Sequence, residues 1–250
     1  MTDQAGLDVN PEPMPKQPAR SRQIKTEMAR VFGEMDAKTC RAFISSLAPR
    51  TAVNPLFSLL LHPVPLVKWR AVQGFGVVAE RLAGEDMEGA RTILRRMMWQ
   101  LNDESGGIGW GCPEGMGEIV AVHAGLAVEF HQVLISYIRE DGNFLEYGPL
   151  RRGALWGVGR AAETRADLMQ KATEPLLGFC QSDDAEECAL AARALGQLSA
   201  SSALSLLESL RADAREVVLF LEGTLRPWRV GDVAQEAVER VRRASAENHA

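Results

Sequence analysis

A seven-residue pattern recurs four times in this chain, at intervals of 41, 42 and 37 residues. It has a small residue at its second place, Gly or Ala at its fifth, an apolar residue at its sixth and Gly at its seventh. The four copies are R-A-V-Q-G-F-G (70–76), G-C-P-E-G-M-G (111–117), G-A-L-W-G-V-G (153–159) and L-A-A-R-A-L-G (190–196). Glycine inside a helix costs about 1 kcal/mol relative to alanine. Its regular return therefore indicates that neighbouring helices must approach each other closely at these places.

Each copy lies in the second helix of a two-helix unit. Apolar residues recur at i, i+3, i+4 and i+7 almost throughout the chain, and no segment alternates convincingly with the period of two that marks a strand. Pro55 stands 21 residues before Gly76, and Pro175 stands 21 residues before Gly196. The unit is thus a first helix (helix A), a short loop and a second helix (helix B). A repeat of about 40 residues built in this way is typical of HEAT and armadillo proteins.

Three segments resemble those of known repeat proteins. The segment D-D-A-E-E-C-A-L-A-A-R-A-L-G-Q-L (183–198) resembles the HEAT-like repeat superfamily, which includes the repeats named after phycobilisome lyases. Segments 102–119 and 141–160 are similar to an uncharacterised group of bacterial HEAT-like repeat proteins. The resemblance covers roughly residues 50–200. It implies an α-solenoid fold and brings no established activity with it.

The repeats predict an all-α fold, an α-α superhelix (HEAT-like solenoid) of about five helix pairs plus terminal helices. We expect an N-terminal pair at about 22–34 and 37–48, a degenerate fifth pair at about 201–222 and a closing helix at about 230–243. The domain prediction is a disordered tail at 1–20, a single solenoid domain at 21–243 and a second disordered tail at 244–250.

Composition argues against several functional classes. Apolar residues make up 46% of the 250 residues, which is enough for a large core, so the chain as a whole is not intrinsically disordered. The net charge of −5 argues against binding of nucleic-acid phosphates. The four cysteines lack the C-x-x-C spacing of zinc and redox motifs, which predicts no metal site, no cofactor and a reducing, cytoplasmic location. We recognise no signal peptide and no apolar stretch of membrane-spanning length, so we expect no membrane partner.

The repeat pattern also predicts which face of the B helices is polar. Counted from zero, places +1, +2, +5, +8 and +9 are small or apolar and form a core stripe, whereas places +3 and +7 share another face. The residues at +3 and +7 are Gln73 and Val77, Glu114 and Glu118, Trp156 and Arg160, and Arg193 and Gln197. In HEAT-like solenoids this stripe is usually on the concave side. The alternative is that it only links repeats, for example by an ion pair between Glu118 and Arg160.

Two connections between an A helix and a B helix are longer than a repeat requires, and they carry aromatic and acidic residues. Both should open on the same edge of the solenoid, so we predict one binding surface formed by the loops and the stripe. Its candidate residues are Asn102, Asp103, Glu104, Trp110, Glu114, Glu118, Asn143, Glu146, Tyr147, Arg151, Arg152, Trp156, Arg160 and Arg193. The alternative is that the loop aromatics fill gaps between repeats, while Arg151 and Arg152 cap backbone carbonyls.

The leading functional hypothesis is a non-catalytic HEAT-like repeat scaffold that binds a protein or peptide partner through the concave B-helix face and the two long loops. No catalytic constellation is recognised, and whether the chain is an enzyme stays open. Some HEAT-like proteins are DNA glycosylases with Trp, Arg and an acidic residue in the groove, and Trp156, Arg160 and Glu114 are a parallel. A bilin-lyase or cofactor-maturation role would need a reactive thiol, whereas Cys112 stands at a core place of the pattern.

Overall fold

The computed structural model of the protein describes residues 17–102 and 109–247. The helices in this part of the chain are α1 (Gln17–Glu34), α2 (Ala37–Ser46), α3 (Pro49–Leu59), α4 (Pro65–Glu85), α5 (Met87–Leu101), α6 (Cys112–Val122), α7 (Ala124–Ser136), α8 (Gly148–Met169), α9 (Thr173–Phe179), α10 (Ala185–Gln197), α11 (Leu204–Leu210) and α12 (Val230–Glu247). Short 3₁₀ turns at Gln170–Ala172 and Ser201–Ala203 lead into α9 and α11. The strands are β1 (Glu216–Leu221) and β2 (Thr224–Arg229).

The helices form a solenoid of repeated pairs. The A helices are α3, α5, α7, α9 and α11, and the B helices are α4, α6, α8, α10 and α12. Each B helix packs against the next one along the chain, from α4 on α6 to α10 on α12. The N-terminal helices α1 and α2 pack on the first repeat, α1 against both α3 and α4 and α2 against α4. The predicted all-α superhelix of about five helix pairs is therefore confirmed, with one small sheet added.

Glycine brings neighbouring B helices into backbone contact. A Cβ placed on Gly117 of α6 would lie 2.2 Å from the Cα of Gly157 of α8. A Cβ placed on Gly196 of α10 would lie 2.7 Å from the Cα of Ala237 of α12. Real side chains do not tolerate such distances, because packed atoms resist overlap. The close approach that the sequence pattern predicted is thus the reason for glycine at these places.

The core stripe of the repeat pattern is buried as predicted. In α4, Ala71, Val72, Phe75, Val78 and Ala79 are all fully enclosed. The corresponding places of α8 are equally enclosed. The apolar core therefore runs along the solenoid as one continuous row to which every repeat contributes.

The B helices begin at residues that favour a helix N-terminus. Pro65, Pro113 and Pro149 lie in the first turns of α4, α6 and α8, where a backbone N–H would have no helical partner. Asp184 caps α10 by accepting hydrogen bonds from the backbone N–H groups of the second and third helical residues. Gly111 has a φ of +75°, which lets the chain turn sharply from the first long loop into α6.

The prediction of a degenerate helix pair at 201–222 is wrong in its second half. After α11 the chain forms an antiparallel hairpin in which Glu216 pairs with Arg229 and Leu221 pairs with Thr224. The two turn residues, Glu222 and Gly223, have φ values of 52° and 77°, as a two-residue hairpin turn requires. The segment V-V-L-F-L before the turn is rich in β-branched and aromatic residues, which favour strands. The hairpin is thus an insertion between helix A (α11) and helix B (α12) of the fifth repeat.

The first and last described helices extend into the predicted tails. Helix α1 begins at Gln17, inside the predicted tail 1–20, because a proline at position 18 falls in the first helical turn and removes no helical hydrogen bond. Helix α12 continues to Glu247, inside the predicted tail 244–250, because alanine and glutamate are strong helix formers. The rest of both tails lies outside the described residues.

We expect Gly117→Ala to lower the free energy of unfolding by about 3 kcal/mol, because the new Cβ meets the backbone of α8 and no side chain can move aside. Urea unfolding followed by far-ultraviolet circular dichroism measures the change. The matched control is Gly84→Ala in α4, where an added Cβ has no neighbour within 4 Å. That variant should gain up to about 1 kcal/mol from helix propensity. Equal effects of the two substitutions would contradict the close approach of α6 and α8.

Candidate functional site

The hairpin lies across the B-helix face on which the polar stripe was predicted. Strand β1 packs on α10, and its Phe220 reaches the aromatic rings of Trp69 on α4 and Trp156 on α8. The rings of Phe220 and Trp69 are stacked, with centroids 4.9 Å apart and planes 7° apart. Trp69 also contacts Trp156 at a centroid distance of 4.8 Å. One residue of the fifth repeat therefore joins aromatic side chains of the first and third repeats.

A hydrogen bond from a side chain to the backbone of β1 fixes the hairpin in this place. Trp156 Nε1 donates to the carbonyl oxygen of Phe220 over 2.6 Å. This carbonyl is free because of the register of the hairpin. Val230 N–H donates to Arg215 O over 3.0 Å, and paired residues in an antiparallel ladder alternate between bonded and non-bonded pairs. Phe220 therefore falls in a non-bonded pair, and its carbonyl points away from β2.

The sequence pattern predicted that Trp156 belongs to an open partner surface, but the structure shows it covered. It is 5% exposed and lies under the hairpin. The sequence places Trp156 correctly on the stripe face, but helix periodicity does not reveal what covers that face. The covering residue, Phe220, was missed, and the run V-V-L-F-L-E-G-T (217–224), which is typical of a strand and a turn, is the signal that could have found it.

Three residues of the polar stripe, Glu118, Arg160 and Arg193, belong to a chain of ion pairs across α6, α8 and α10. Arg160 Nε donates to Glu118 Oε2 over 2.7 Å, and Arg160 Nη1 donates to Glu163 Oε2 over 2.9 Å. Glu163 also pairs with Arg193 of α10. Burial raises the pKa of the Glu118 carboxyl, and the hydrogen bond and charge of Arg160 oppose this shift. The ion pair between Glu118 and Arg160 that the alternative interpretation predicted is present.

Glu114, one helical turn before Glu118, is only half satisfied. It is 3% exposed, and its Oε1 accepts a hydrogen bond from Lys68 Nζ over 2.7 Å. Its Oε2 is buried and has no hydrogen-bond partner. A Cβ on Gly153 would lie 2.5 Å from this oxygen, so the carboxylate rests directly against α8. A buried acceptor without a partner is unusual in a folded protein.

Glu114 lines a cleft of about 170 Å³ that we call the tryptophan cleft. Its walls come from four B helices, the first long loop and the hairpin. The lining residues are Lys68, Trp69, Trp110, Glu114, Pro149, Arg152, Gly153, Trp156, Glu186, Leu190, Leu219 and Phe220.

The two long loops meet near this cleft. Trp110 of the first loop contacts Tyr147 of the second edge to face, with ring centroids 5.5 Å apart. Trp110 is partly buried, and Tyr147 is 49% exposed. The described ends of the two loops, at Trp110 and Tyr147, therefore meet at one place on the solenoid.

The remaining candidate residues of the loops divide into three groups. Asn102 and Glu146 are exposed, and Asn143 Nδ2 donates to Ser136 Oγ within its own repeat. Asp103 and Glu104 lie outside the described residues.

The two arginines after the second loop have different roles. Arg151 donates to the carbonyls of Leu145 and Glu146 and to the carboxylate of Glu187, so it holds the second loop in place. Arg152 forms ion pairs with Asp184, through Nε at 3.3 Å, and with Glu186, through Nη1 at 2.9 Å. Capping of carbonyls, the alternative interpretation, is thus confirmed for Arg151 and wrong for Arg152.

A larger, open groove of about 1070 Å³ lies between the third and fourth repeats. Its aromatic wall consists of Phe144 and Phe179, whose rings are stacked at a centroid distance of 6.5 Å. The Arg151 guanidinium faces Phe144 at 5.5 Å and is paired with Glu187. Among the described residues that line this groove, none has a buried side-chain nitrogen or oxygen without a hydrogen-bond partner, in contrast to Glu114 in the tryptophan cleft.

The described residues contain no group of three or more His, Cys, Asp or Glu side chains that could hold a metal ion. Cys112 is fully buried, and burial raises the pKa of its thiol to about 12, so the reactive thiolate is scarce at neutral pH. Among the helices of residues 17–102 and 109–247, none is long and apolar enough to cross a membrane.

Comparison with known proteins identifies the repeat. Residues 148–198, which span α8 to α10, match the family model of the HEAT-like repeat. An uncharacterized protein of Archaeoglobus fulgidus is 29% identical over 123 residues, which are 49% of this chain and 61% of that protein. This chain thus matches less than two thirds of the length of that relative. The resemblance to HEAT-like repeats is confirmed.

Solved structures of designed proteins share the fold. Computationally designed armadillo repeat proteins for modular peptide recognition align with a TM-score of 0.51 and 18% identity, over 90% of this chain and 99% of theirs. An engineered protein aligns with a TM-score of 0.51 and 15% identity, over 88% of this chain and 97% of its own. Both similarities identify the architecture as that of a repeat solenoid.

We expect Phe220→Ala to detach the hairpin from the B-helix face. Loss of a buried phenylalanine side chain costs about 3 kcal/mol, and the cost falls on the contacts with Trp69 and Trp156. Hydrogen–deuterium exchange should accelerate in β1 and β2, while the helices keep their protection. The matched control is Val218→Ala on the same strand, whose side chain is 58% exposed. Unchanged protection of the hairpin in Phe220→Ala would contradict its anchoring by this residue.

We expect Arg160→Met to destabilise the fold by about 3–5 kcal/mol, because Glu118 is left buried without its cation. Burial already raises the pKa of Glu118 in the folded protein, and the substitution raises it further. Because protonation removes the buried charge, the deficit relative to the parent protein should be larger at about pH 8 than at about pH 5. Urea unfolding at both pH values measures it. Adding Glu118→Gln should abolish this pH dependence, and a deficit that is equal at both pH values would speak against a buried charged Glu118.

Proposed function

We propose that this HEAT-like repeat scaffold binds an extended segment of a partner protein at the tryptophan cleft and the two long loops beside it. The observation that carries the proposal is how the site already holds a segment of its own chain. Phe220 of β1 stacks on Trp69, and its backbone carbonyl accepts a hydrogen bond from Trp156 Nε1. Contacts to a backbone carbonyl combined with a side-chain pocket are the means by which protein grooves recognise extended peptides.

The cleft retains binding capacity beside the hairpin. Glu114 Oε2 is buried there without a hydrogen-bond partner. The aromatic rings of Trp110 and Tyr147 stand near the cleft and keep part of their surface accessible. Tryptophan and tyrosine are enriched among the few residues that carry most of the binding energy in protein interfaces.

The solenoid architecture supports the same proposal. The designed armadillo repeat proteins that share this fold were made for modular peptide recognition. A row of stacked helices offers a long surface without the need for catalytic residues. The fold alone is no functional evidence, so the proposal depends on the cleft.

A protein partner fits the charges of this face better than a nucleic acid. Arg160 and Arg193 are both paired with Glu163, and Arg152 is paired with Asp184 and Glu186. A phosphate would have to displace these carboxylates and would meet their negative charge. With a net charge of −5, the chain has no general attraction for a nucleic-acid backbone.

The two enzymatic alternatives lose the residues on which they depended. The glycosylase parallel needs Trp156 and Arg160 in an open groove, whereas Trp156 is covered by the hairpin and Arg160 is bound to two glutamates. The lyase alternative needs a reactive thiol, whereas Cys112 is enclosed and its pKa is about 12. Binding of a partner requires neither. The cytoplasmic location remains a prediction from the cysteine content.

Selection from a library of random peptides tests the proposal. We expect peptides that bind the parent protein to lose at least tenfold in affinity for Trp110→Ala and to protect residues 109–122 and 148–156 from hydrogen exchange. The matched control is Trp99→Ala, which removes a tryptophan that is 66% exposed on α5, and it should leave affinity unchanged. Peptides that bind Trp110→Ala as well as the parent, or that protect only other regions, would overturn the proposal.

A further inference from the structure

We infer that the tryptophan cleft accepts one positively charged side chain, preferably arginine, from the bound segment, with Glu114 as its counter-ion. The inference rests on the proposed function and specifies the chemistry of the ligand. It starts from a comparison of two glutamates that lie one turn apart on the same helix.

Glu114 and Glu118 occupy equivalent environments with unequal partners. Both are less than a tenth exposed, and both lie beside a glycine of a neighbouring B helix. Glu118 receives two N–H donors from the guanidinium of Arg160, which stands at place +7 of the next repeat. At place +3 of that repeat stands Trp156, which offers Glu114 no cation. Glu114 Oε2 is left without a donor, whereas both oxygens of Glu118 accept hydrogen bonds.

The aromatic walls suit a cation at this point. Trp69, Trp110 and Trp156 all line the cleft. The Lys68 ammonium group already lies 5.2 Å from the ring centroid of Trp69. Tryptophan is the aromatic side chain that attracts cations most strongly, and a planar guanidinium stacks on it as well. Arginine therefore fits better than lysine.

The charge balance of the cleft favours a cation over an anion. Lys68 is matched by Glu114, and Arg152 is matched by both Asp184 and Glu186. Both cations that line the cleft, Lys68 and Arg152, are thus already paired with carboxylates, so neither is left to bind an anion. One carboxylate can serve two cations in this fold, since Glu163 bridges Arg160 and Arg193.

The size of the cleft limits the ligand to one side-chain end. Its 170 Å³ correspond to roughly six water molecules at about 30 Å³ each. This space takes a guanidinium and part of its stem, but no helix or strand. The backbone of the bound segment must therefore lie outside, near Trp110 and Tyr147.

The experiment compares two capped pentapeptides, acetyl-Gly-Ser-Arg-Ser-Gly-amide and the same peptide with citrulline in place of arginine. Citrulline has nearly the same shape and carries no charge. Binding is followed through the indole N–H signals in nuclear magnetic resonance spectra. We expect the arginine peptide to bind at least tenfold more tightly than the citrulline peptide. Glu114→Gln should lower the affinity for the arginine peptide at least tenfold, whereas Glu129→Gln, which removes a carboxylate paired with Arg91 outside the cleft, should not.

Equal affinity for the two peptides overturns the inference, and so does an affinity of Glu114→Gln equal to that of the parent protein. The comparison of the two peptides uses the parent protein, so it decides the question even where Glu114→Gln fails to fold. Library peptides that bind at the cleft without a basic residue would overturn the inference and leave the proposed function intact. An arginine-selective cleft that no library peptide occupies would overturn the proposed function and leave the cation site intact.

Discussion

The short distance between neighbouring B helices is the constraint on which the rest of this structure depends. Gly117 against Gly157 and Gly196 against Ala237 bring backbones together at places where no side chain fits. Each glycine lowers the stability of its helix by about 1 kcal/mol relative to alanine. The close packing of the long helices against one another offsets this loss. The same approach leaves little room for side chains on the B-helix face. Glu114 and Glu118 are therefore pressed against glycines of adjacent helices and are removed from water.

A buried carboxylate needs a cation, and the repeat pattern decides which residue supplies it. Where the next repeat has arginine at the corresponding place, as for Glu118, the charge is neutralised within the scaffold. Where it has Trp156, the carboxylate keeps one free oxygen, and the indole becomes the anchor of the hairpin instead. A single position in the third repeat thus creates both the unsatisfied group and the aromatic cluster that encloses it. The site arises from a departure from the repeat pattern.

The sequence predicted what depends on periodicity and failed where a non-repeating segment intervenes. The helix pairs, the core stripe and the convergence of the two loops follow from spacing, because every repeat buries the same face against its neighbours. The hairpin escaped prediction because it is short and stands in a unit whose pattern is degenerate. For the same reason Trp156 was placed on an open surface, although Phe220, 64 residues further on, covers it. The ion pair between Lys68 and Glu114, 46 residues apart, was not predicted either. A repeat pattern predicts which face of a helix a side chain lies on, but it does not predict which residue that side chain contacts.

The site is formed mainly by the connections between A and B helices that are longer than in the other repeats. Trp110, Tyr147 and Phe220 belong to the A-to-B connections of the second, third and fifth repeats, and all three lie in or beside one cleft. In a solenoid these connections emerge on one edge, so insertions in separate repeats can meet without any change in the stacked helices. The helices provide fixed walls and a buried charge, and the insertions provide the aromatic surfaces near it. Specificity for a partner can therefore change through the insertions alone, while the glycine contacts that hold the scaffold together stay untouched.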